Sequence, residues 1–261
     1  MTTPPIKIAT WNVNSVKARL THLLDWLDLA APTVVLLQEL KCQDADFPRL
    51  ELESRGWHVA TRGQKTYNGV ALLSRTPLTD VQRNIPGFDD DQARVIAATT
   101  ESGVRVVGAY FPNGQAPDSD KFAYKMRWLD ALRQWLGGEL QRHSRLVLLG
   151  DFNIAPEDRD VYDPVLLAGQ IHCTPEERKQ FQQLLDLGLF DAFRAFEQPE
   201  KSWSWWDYRN LAFRRNRGLR IDHILASNAM RPALQSCSID KEPRRAERAS
   251  DHAPVIATFA D

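Results

Sequence analysis

Short apolar segments of strand length alternate with helical patterns along the whole chain, and this alternation constrains the fold most. Apolar residues recur at helical spacing over residues 16–27 and 122–136, and Gly137-Gly138 is predicted to close the second helix. Thr174, followed by a proline, predicts another helix start. The predicted strands are residues 6–11, 33–37, 57–61, 70–74, 93–99, 104–111, 146–149, 219–225 and 254–259.

Interleaved strands and helices favour an α/β layered sandwich in which helices cover packed sheets. The 261 residues suffice for one large core, and no linker rich in Pro, Gly or Ser divides them. We therefore predict a single domain over residues 1–261. The longest stretch without regular periodicity, residues 197–217, is a candidate functional segment.

Bulk properties narrow the class of protein and its compartment. The formal net charge is −1, so a nucleic-acid partner would need a local basic surface. The apolar segments are too short to span a bilayer, and residues 1–5 show no secretion signal. The three cysteines are scattered, odd in number and without zinc spacing, which favours a reducing compartment. We expect a cytoplasmic protein without membrane contact.

Polar side chains stand where several apolar strands end or begin. The segment 146–153 runs from a buried strand through Gly150 to Asp151 and Asn153. Residues two apart on an extended chain point to the same side, so this carboxylate and this amide face one direction. An Asp or Asn in such a place is also a common turn former. Repetition favours function, because similar groups recur at Asn12, Glu39, Asp222, Asp251 and His252.

These residue types suit phosphate ester hydrolysis. Glu39 and Asn12 offer the oxygen ligands that Mg²⁺ prefers. A carboxylate such as Asp151 can orient or deprotonate the attacking water. Asp222 can fix the tautomer of His252, which would then donate a hydrogen bond to the phosphate.

Around these residues the sequence resembles the exonuclease III family of the endonuclease/exonuclease/phosphatase superfamily. The matching motifs run in family order over essentially the whole chain. They are residues 10–15 (TWNVNS), 37–39 (LQE), 63–65 (GQK), 68–73 (NGVALL), 110–114 (YFPNG), 121–122 (KF), 150–156 (GDFNIAP), 205–209 (WWDYR), 218–222 (GLRID) and 250–254 (SDHAP).

The resemblance implies a four-layer α/β sandwich of two packed mixed β-sheets flanked by helices. It also implies Mg²⁺-dependent hydrolysis of DNA phosphodiesters, with Mn²⁺ as an alternative metal. The expected substrates are duplex DNA with abasic sites or blocked 3′ ends. Independently of the resemblance, a monomer is our default expectation. The roles it implies are metal binding by Glu39, Asn12 and Asp251, water activation by Asp151, phosphate and transition-state support by Asn153 and Tyr110, and orientation of His252 by Asp222.

The segment 203–220 interleaves aromatic residues with arginines, and two interpretations stay open. It is partly core and a solvated arginine face, or it uses arginine for phosphates and aromatic faces for sugar or base. By resemblance, Trp205 would wall the nucleotide pocket, and residues 213–216 would wedge into the duplex. The predicted DNA-binding residues are Trp205, Asn113, Lys121, Arg209, Phe213, Arg214, Arg215, Asn216 and His172.

Two positions depart from the family pattern. Asn113 stands where exonuclease III itself has Gln in the corresponding Tyr-Phe-Pro-Gln-Gly motif, and His172 lies in a loop that differs from close relatives of exonuclease III. We hypothesise that His172 reaches toward the damaged-nucleotide pocket and disfavours an internal abasic sugar relative to a free 3′ end.

Two alternatives remain at this point. The chain could be another phosphoesterase of the superfamily, either a general nuclease or a phosphatase of inositol phosphates or lipids. It could also be a non-catalytic DNA-binding module, although the metal-ligand and imidazole positions are all occupied.

Overall fold

A computed structural model describes residues 5–260. The strands are β1 (Ile6–Asn12), β2 (Val34–Gln38), β3 (His58–Arg62), β4 (Val70–Ser74), β5 (Leu78–Arg83), β6 (Val95–Thr100), β7 (Arg105–Tyr110), β8 (Leu146–Asp151), β9 (Leu189–Asp191), β10 (Asp222–Ser227), β11 (Leu234–Ile239) and β12 (Val255–Phe259). The α-helices are α1 (Leu20–Ala30), α2 (Arg49–Glu53), α3 (Asp120–Arg142), α4 (Pro164–Leu167) and α5 (Pro175–Asp186).

The strands form two six-stranded mixed sheets. The first has the order β11-β12-β1-β2-β4-β3, and the second has the order β5-β6-β7-β8-β10-β9. Each contains one parallel pair, β1 with β2 and β7 with β8, while the remaining pairs are antiparallel. The carboxyl ends of these two parallel pairs lie at one edge of the sandwich, where ligands commonly bind in α/β proteins.

The fold has four layers, which are helices, a sheet, a second sheet and helices. Three apolar cores lie between them. The central core lies between the sheets and contains residues of both, including Leu36, Leu72, Val106 and Leu149. A second core packs α1 and α2 on the first sheet, and a third packs α3 and α5 on the second. The four-layer sandwich that the family resemblance implied is therefore confirmed.

Three edge or short strands, β5, β9 and β11, were missed by the sequence analysis. The edge strands β5 and β11 carry polar residues on their exposed positions, so they lack a continuous apolar run. The predicted strand at residues 219–225 is also shorter than expected. Among its first three residues, only Leu219 forms isolated bridges, one to Val161 and one to Trp205, and β10 begins at Asp222.

The prediction that Gly137-Gly138 ends a helix was wrong, because α3 continues to Arg142. Glycine costs only about 1 kcal/mol in a helix interior, which tertiary contacts readily offset. Here the extra turn carries the buried carboxylate of Glu139, which pairs with Arg105 at 2.6 Å. The predicted N-cap at Thr174 is confirmed, and its side chain accepts a hydrogen bond from the Glu177 backbone.

The described residues bear on membrane-spanning helices but not on the number of domains. Within residues 5–260 the structure contains no helix with the length and apolarity to cross a bilayer. Residues 1–4, on which the expectation about a secretion signal largely rests, lie outside the described residues. The single-domain assignment stays a prediction.

Candidate active site and metal centre

The predicted site residues meet at one edge of the sandwich because of strand register. Asn12 ends β1 and Glu39 directly follows β2, both in the first sheet. In the second sheet Asp151 ends β8, and it stands opposite Asp222 at the start of the antiparallel β10. Gly150 lies so close to the neighbouring strand that a Cβ atom would be 1.8 Å from the Ala109 oxygen. Only glycine therefore fits before Asp151.

Asn12 joins the two sheets across the site. Its Nδ2 donates to Glu39 Oε1 at 2.9 Å and to Asp151 Oδ2 at 3.0 Å. Its Oδ1 accepts from the Asn14 backbone at 3.0 Å. In this arrangement Asn12 sets the separation of two carboxylates, and metal ligation by its oxygen stays a prediction.

Glu39 is held in its ionised form. Burial raises its pKa, but hydrogen bonding to Asn12 and the charge of Lys41 outweigh burial, so the pKa is lowered. Lys41 Nζ lies 2.9 Å from Glu39 Oε2, and the Tyr110 hydroxyl donates to Oε1 at 3.0 Å. Burial beside Glu39 raises the Tyr110 pKa well above its usual value. Tyr110 is thus a neutral hydrogen-bond donor at the site.

Asp151 and His252 form a carboxylate–imidazole pair. His252 Nε2 lies 3.7 Å from Asp151 Oδ2, and His252 Nδ1 lies 2.9 Å from Asp222 Oδ2. Burial lowers the pKa of His252, but the charges of Asp222 and Asp151 outweigh it and raise the pKa to about 10. Burial also raises the pKa of Asp151 to about 7, with the His252 charge opposing and the Asp222 charge adding. His252 is therefore an imidazolium that points Nε2–H into the site.

Glu39, Asp151 and His252 offer ligand atoms that all lie within 4.8 Å of one another. A protonated imidazole has no lone pair for a metal, so the Glu39 carboxylate is the ligand this geometry provides, with the Asp151 carboxylate close enough to interact with the charge of the cation. Two close carboxylates suit a hard divalent cation such as Mg²⁺ or Mn²⁺. The residues present fit the metal that the resemblance implied.

Asp251 lies beside this group and is occupied by protein donors. Its Oδ1 accepts from Asn14 Nδ2 at 2.9 Å, and its Oδ2 accepts from Trp205 Nε1 at 3.0 Å. Burial raises its pKa, but the His252 charge and these two bonds lower it overall. Asp251 thus connects the predicted nucleotide wall to the metal site, and direct metal ligation by Asp251 stays a prediction.

Asn153 and Asn113 form the rim next to Asp151. The Asn153 backbone nitrogen donates to Asp151 Oδ1 at 2.9 Å, and its Oδ1 accepts from Asn113 Nδ2 at 3.2 Å. Asn153 Nδ2 donates to the Phe111 oxygen at 3.1 Å. Both amide side chains therefore lie beside Asp151, and their contact with a substrate phosphate stays a prediction.

His172 faces the same rim. Its Nδ1 lies 2.8 Å from the Asn153 carbonyl oxygen, and its ring lies 6.4 Å from that of Trp205. Burial and the nearby charge of Lys125 lower the His172 pKa to about 4. A neutral ring whose Nδ1–H meets a carbonyl must carry its lone pair on Nε2. The sequence hypothesis that His172 approaches the pocket of Trp205 is consistent with this geometry.

The remaining predicted DNA-binding residues are mostly exposed, and they differ in their partners. Arg209 pairs with Asp207 at 2.7 Å. Phe213 is half-buried against Trp206, with ring centroids 5.0 Å apart. Asn216 accepts from the indoles of Trp203 and Trp206, so it also shapes the loop. Exposed positions are occupied by Asn113, Lys121, Arg209, Arg214, Arg215 and Asn216.

Several residues of the site were not predicted from the sequence. Lys41 bonds Asn14 as well as Glu39, and a cation two residues after Glu39 in the sequence was an available signal. Tyr208 accepts from Asn14 at 3.3 Å and donates to the Ala249 oxygen at 2.9 Å. The contact with Asn14 joins residues 194 positions apart in the chain, and no local pattern indicates it.

The carboxylate pair, the charged imidazole and the mixed-sheet sandwich define a metal-dependent phosphoester hydrolase. The chain belongs to the endonuclease/exonuclease/phosphatase family, whose model matches residues 9–252.

Relatives and solved structures agree with this assignment. The chain is 36% identical over 266 residues to exodeoxyribonuclease III of Haemophilus influenzae, covering 97% of this chain and all of the relative. It is 50% identical to the 3′ phosphatase NExo from Neisseria, solved with a product DNA hairpin, with a TM-score of 0.95 over 97% of this chain and 99% of that one. An AP endonuclease from Archaeoglobus fulgidus is 35% identical, with a TM-score of 0.93 over 98% of this chain and 100% of that one.

Proposed function

We propose that this chain is a DNA-repair nuclease that hydrolyses phosphodiesters at abasic sites or 3′ ends of duplex DNA with Mg²⁺, or with Mn²⁺ in its place. One observation carries the proposal. The carboxylate of Asp151 has a pKa raised to about 7 and lies between Glu39 and the imidazolium of His252. A base poised near neutral pH thus faces a fixed positive charge.

Each side chain then has a separate job. The His252 imidazolium, oriented by Asp222, donates Nε2–H to a phosphate oxygen. Asp151 accepts the proton of the attacking water, and Asn153 and Tyr110 donate to the developing charge. Glu39 would hold a divalent cation, which when bound would neutralise charge and polarise a phosphoryl oxygen. Asn12 holds the carboxylates of Glu39 and Asp151 at a fixed separation.

Recognition of DNA is supported by the surface next to this site. Trp205 is half-buried and bonded to Asp251, so its position is fixed relative to the metal site. Exposed arginines 214 and 215 lie on the adjoining loop, where they can pair with phosphates. The relatives named above include nucleases and a phosphatase of DNA 3′ ends, which favours DNA over lipid or inositol phosphates.

We further propose a preference for 3′-end processing over abasic incision. His172 lies across the rim from Trp205 and is fixed by its bond to the Asn153 carbonyl. A ring in that place narrows the space for an internal sugar that continues into DNA on both sides. A 3′-terminal nucleotide continues into DNA on one side only, so it needs less space. The monomeric state and the cytoplasmic location stay predictions.

A panel of four duplexes tests both proposals. It contains an internal abasic analogue, a 3′-phosphate, a recessed 3′-OH and an undamaged control, each assayed with Mg²⁺ and with EDTA. We expect cleavage only with metal, and a loss of about 10²- to 10⁴-fold in Asp151→Asn. Metal-independent cleavage would refute the mechanism.

The His172→Gly variant tests the preference on the same panel. We expect abasic incision to rise about 10- to 100-fold relative to removal of the 3′-phosphate, because a single group in a pocket discriminates on that scale. Removal of the 3′-phosphate serves as the internal control for folding and metal binding. An unchanged ratio would reject the role of His172.

A further inference from the structure

A fully buried ion pair lies directly behind the catalytic rim. Lys125 of α3 and Glu177 of α5 are both 0% exposed in their side chains, and Nζ lies 2.5 Å from Oε1. Apolar residues of similar volume often stabilise a core as well as a buried ion pair does, because both charges lose their hydration. Stability alone is therefore a weak reason for this pair.

The other two bonds of the Lys125 ammonium lead to the active site. Nζ donates to the Asn113 carbonyl at 3.2 Å and to the Asn153 carbonyl at 2.7 Å. With Glu177 as the third acceptor, all three ammonium protons have partners. The side chains of the same two asparagines meet each other at 3.2 Å on the rim. One ammonium thus holds the main chain of both.

Glu177 extends this connection to the loop of His172. Its Oε2 accepts from the backbone nitrogen of Thr174 at 3.1 Å and from the Thr174 hydroxyl at 2.9 Å. His172, two residues earlier, meets the same Asn153 carbonyl at 2.8 Å. Three segments that carry rim residues therefore converge on one buried contact.

The backbone of the rim depends on such support. Asn153 has a φ of 52°, in the left-handed region, and Gly114 after Asn113 has a φ of 88°. A Cβ atom at Gly114 would be 3.1 Å from the Lys125 side chain. The lysine stem is packed against this turn, so a change at Lys125 reaches Asn113 directly.

We propose that Lys125 is a positioning residue that, anchored by Glu177, fixes Asn113 and Asn153 in the orientation needed at the transition state. The inference rests on the proposed nuclease function. Lys125 touches neither substrate nor metal in this arrangement, so its effect is on geometry. Misplacement of reacting groups by about 1 Å costs on the order of 100-fold in rate.

The double variant Lys125→Met/Glu177→Gln tests the proposal in the full chain. It removes both charges together, and Gln keeps the capping box with Thr174. We expect kcat for 3′-phosphate removal to fall about 10- to 100-fold. KM, Mn²⁺ affinity and melting temperature should stay near wild type, since Glu39 and Asp151 do not contact Lys125.

A matched control lies at the far end of the same helix. Arg105 and Glu139 form a buried pair, 5% and 4% exposed, at 2.6 Å. The variant Arg105→Met/Glu139→Gln makes the same chemical change away from the rim, and its kcat should equal that of wild type. If both double variants lose kcat equally, or if the Lys125 variant alone melts far below wild type, the pair is structural and the proposal falls.

The single variant Glu177→Gln separates the two halves of the contact. Lys125 keeps its bonds to both carbonyls, and even an amine that has lost a proton retains two N–H donors. We expect kcat within about threefold of wild type. A loss as large as in the double variant would contradict positioning through the carbonyls. Wild-type protein without DNA cleavage would instead overturn the proposed function.

Discussion

At the residue scale, the site separates a metal-binding carboxylate from a water-activating one by their surroundings. Glu39 has three donors, Asn12, Tyr110 and Lys41, and its pKa is lowered. Asp151 is more deeply buried and has Asp222 nearby, so its pKa is raised to about 7. At neutral pH one carboxyl is always charged, and the other can take up a proton.

This difference predicts proton release on metal binding. At pH 6 the Asp151 carboxyl is largely protonated, because its pKa is raised to about 7, mainly by burial. A nearby cation favours the ionised form, so Mn²⁺ binding should release about one proton. Calorimetric titrations in buffers of different ionisation enthalpy measure it.

Release should fall toward zero above pH 8.5, where the carboxyl is already ionised. It should also be absent in Asp151→Asn at pH 6. Equal release by that variant would show that another group loses the proton.

The residues of this site could be predicted where the signal was local. Asp151 and Asn153 stand two apart after an apolar strand, and Asp251 and His252 precede one. Lys125 gave no such signal, because it lies in the second turn of α3 without a sequence motif around it and meets Glu177 only through the packing of α3 on α5. Hydrophobic periodicity does not indicate which charged residues tertiary packing brings together.

At the element scale, long α3 connects the rim to the opposite end of the sandwich. Its length was underestimated because Gly137-Gly138 resembles a stop signal. The edge strands β5 and β11 escaped prediction for the opposite reason, since they lack an apolar run. Buried strands, by contrast, were located to within one or two residues in most cases.

The two glycines of α3 predict a stabilising change. A Cβ atom at Gly138 would meet no atom within 4 Å among the described residues, and its helical backbone suits alanine. Gly138→Ala should therefore raise the free energy of unfolding by about 0.5–1 kcal/mol. Urea unfolding measures the change, with DNA cleavage unaffected.

Gly103→Ala is the matched control. It has equal space, but its φ of +78° strains any other residue, so it should destabilise the fold. Destabilisation by both substitutions would contradict the argument from helix propensity.

At the scale of the whole molecule, the active site exists only because two sheets pack face to face. Each sheet supplies part of it, and the Asn12 amide spans from Glu39 of one sheet to Asp151 of the other. The sequence placed these residues at strand ends, but their mutual distances follow from the packing of the central core. The grouping of these residues in one site was predicted from the family resemblance rather than from hydrophobic periodicity.

The net charge of −1 makes DNA affinity a property of a local surface. If exposed Arg215 contacts a phosphate, Arg215→Gln should reduce the slope of log affinity against log salt by about 0.9. The control Arg142→Gln removes the same charge at the last residue of α3. This helix begins beside the site and is 23 residues long, so its last residue lies about 35 Å from its start. Its slope should match wild type. Titrations of labelled duplex from low to physiological salt, in Ca²⁺ to limit cleavage, give both slopes. Equal reductions in the two variants would mean that overall charge, rather than the loop beside Trp205, governs binding.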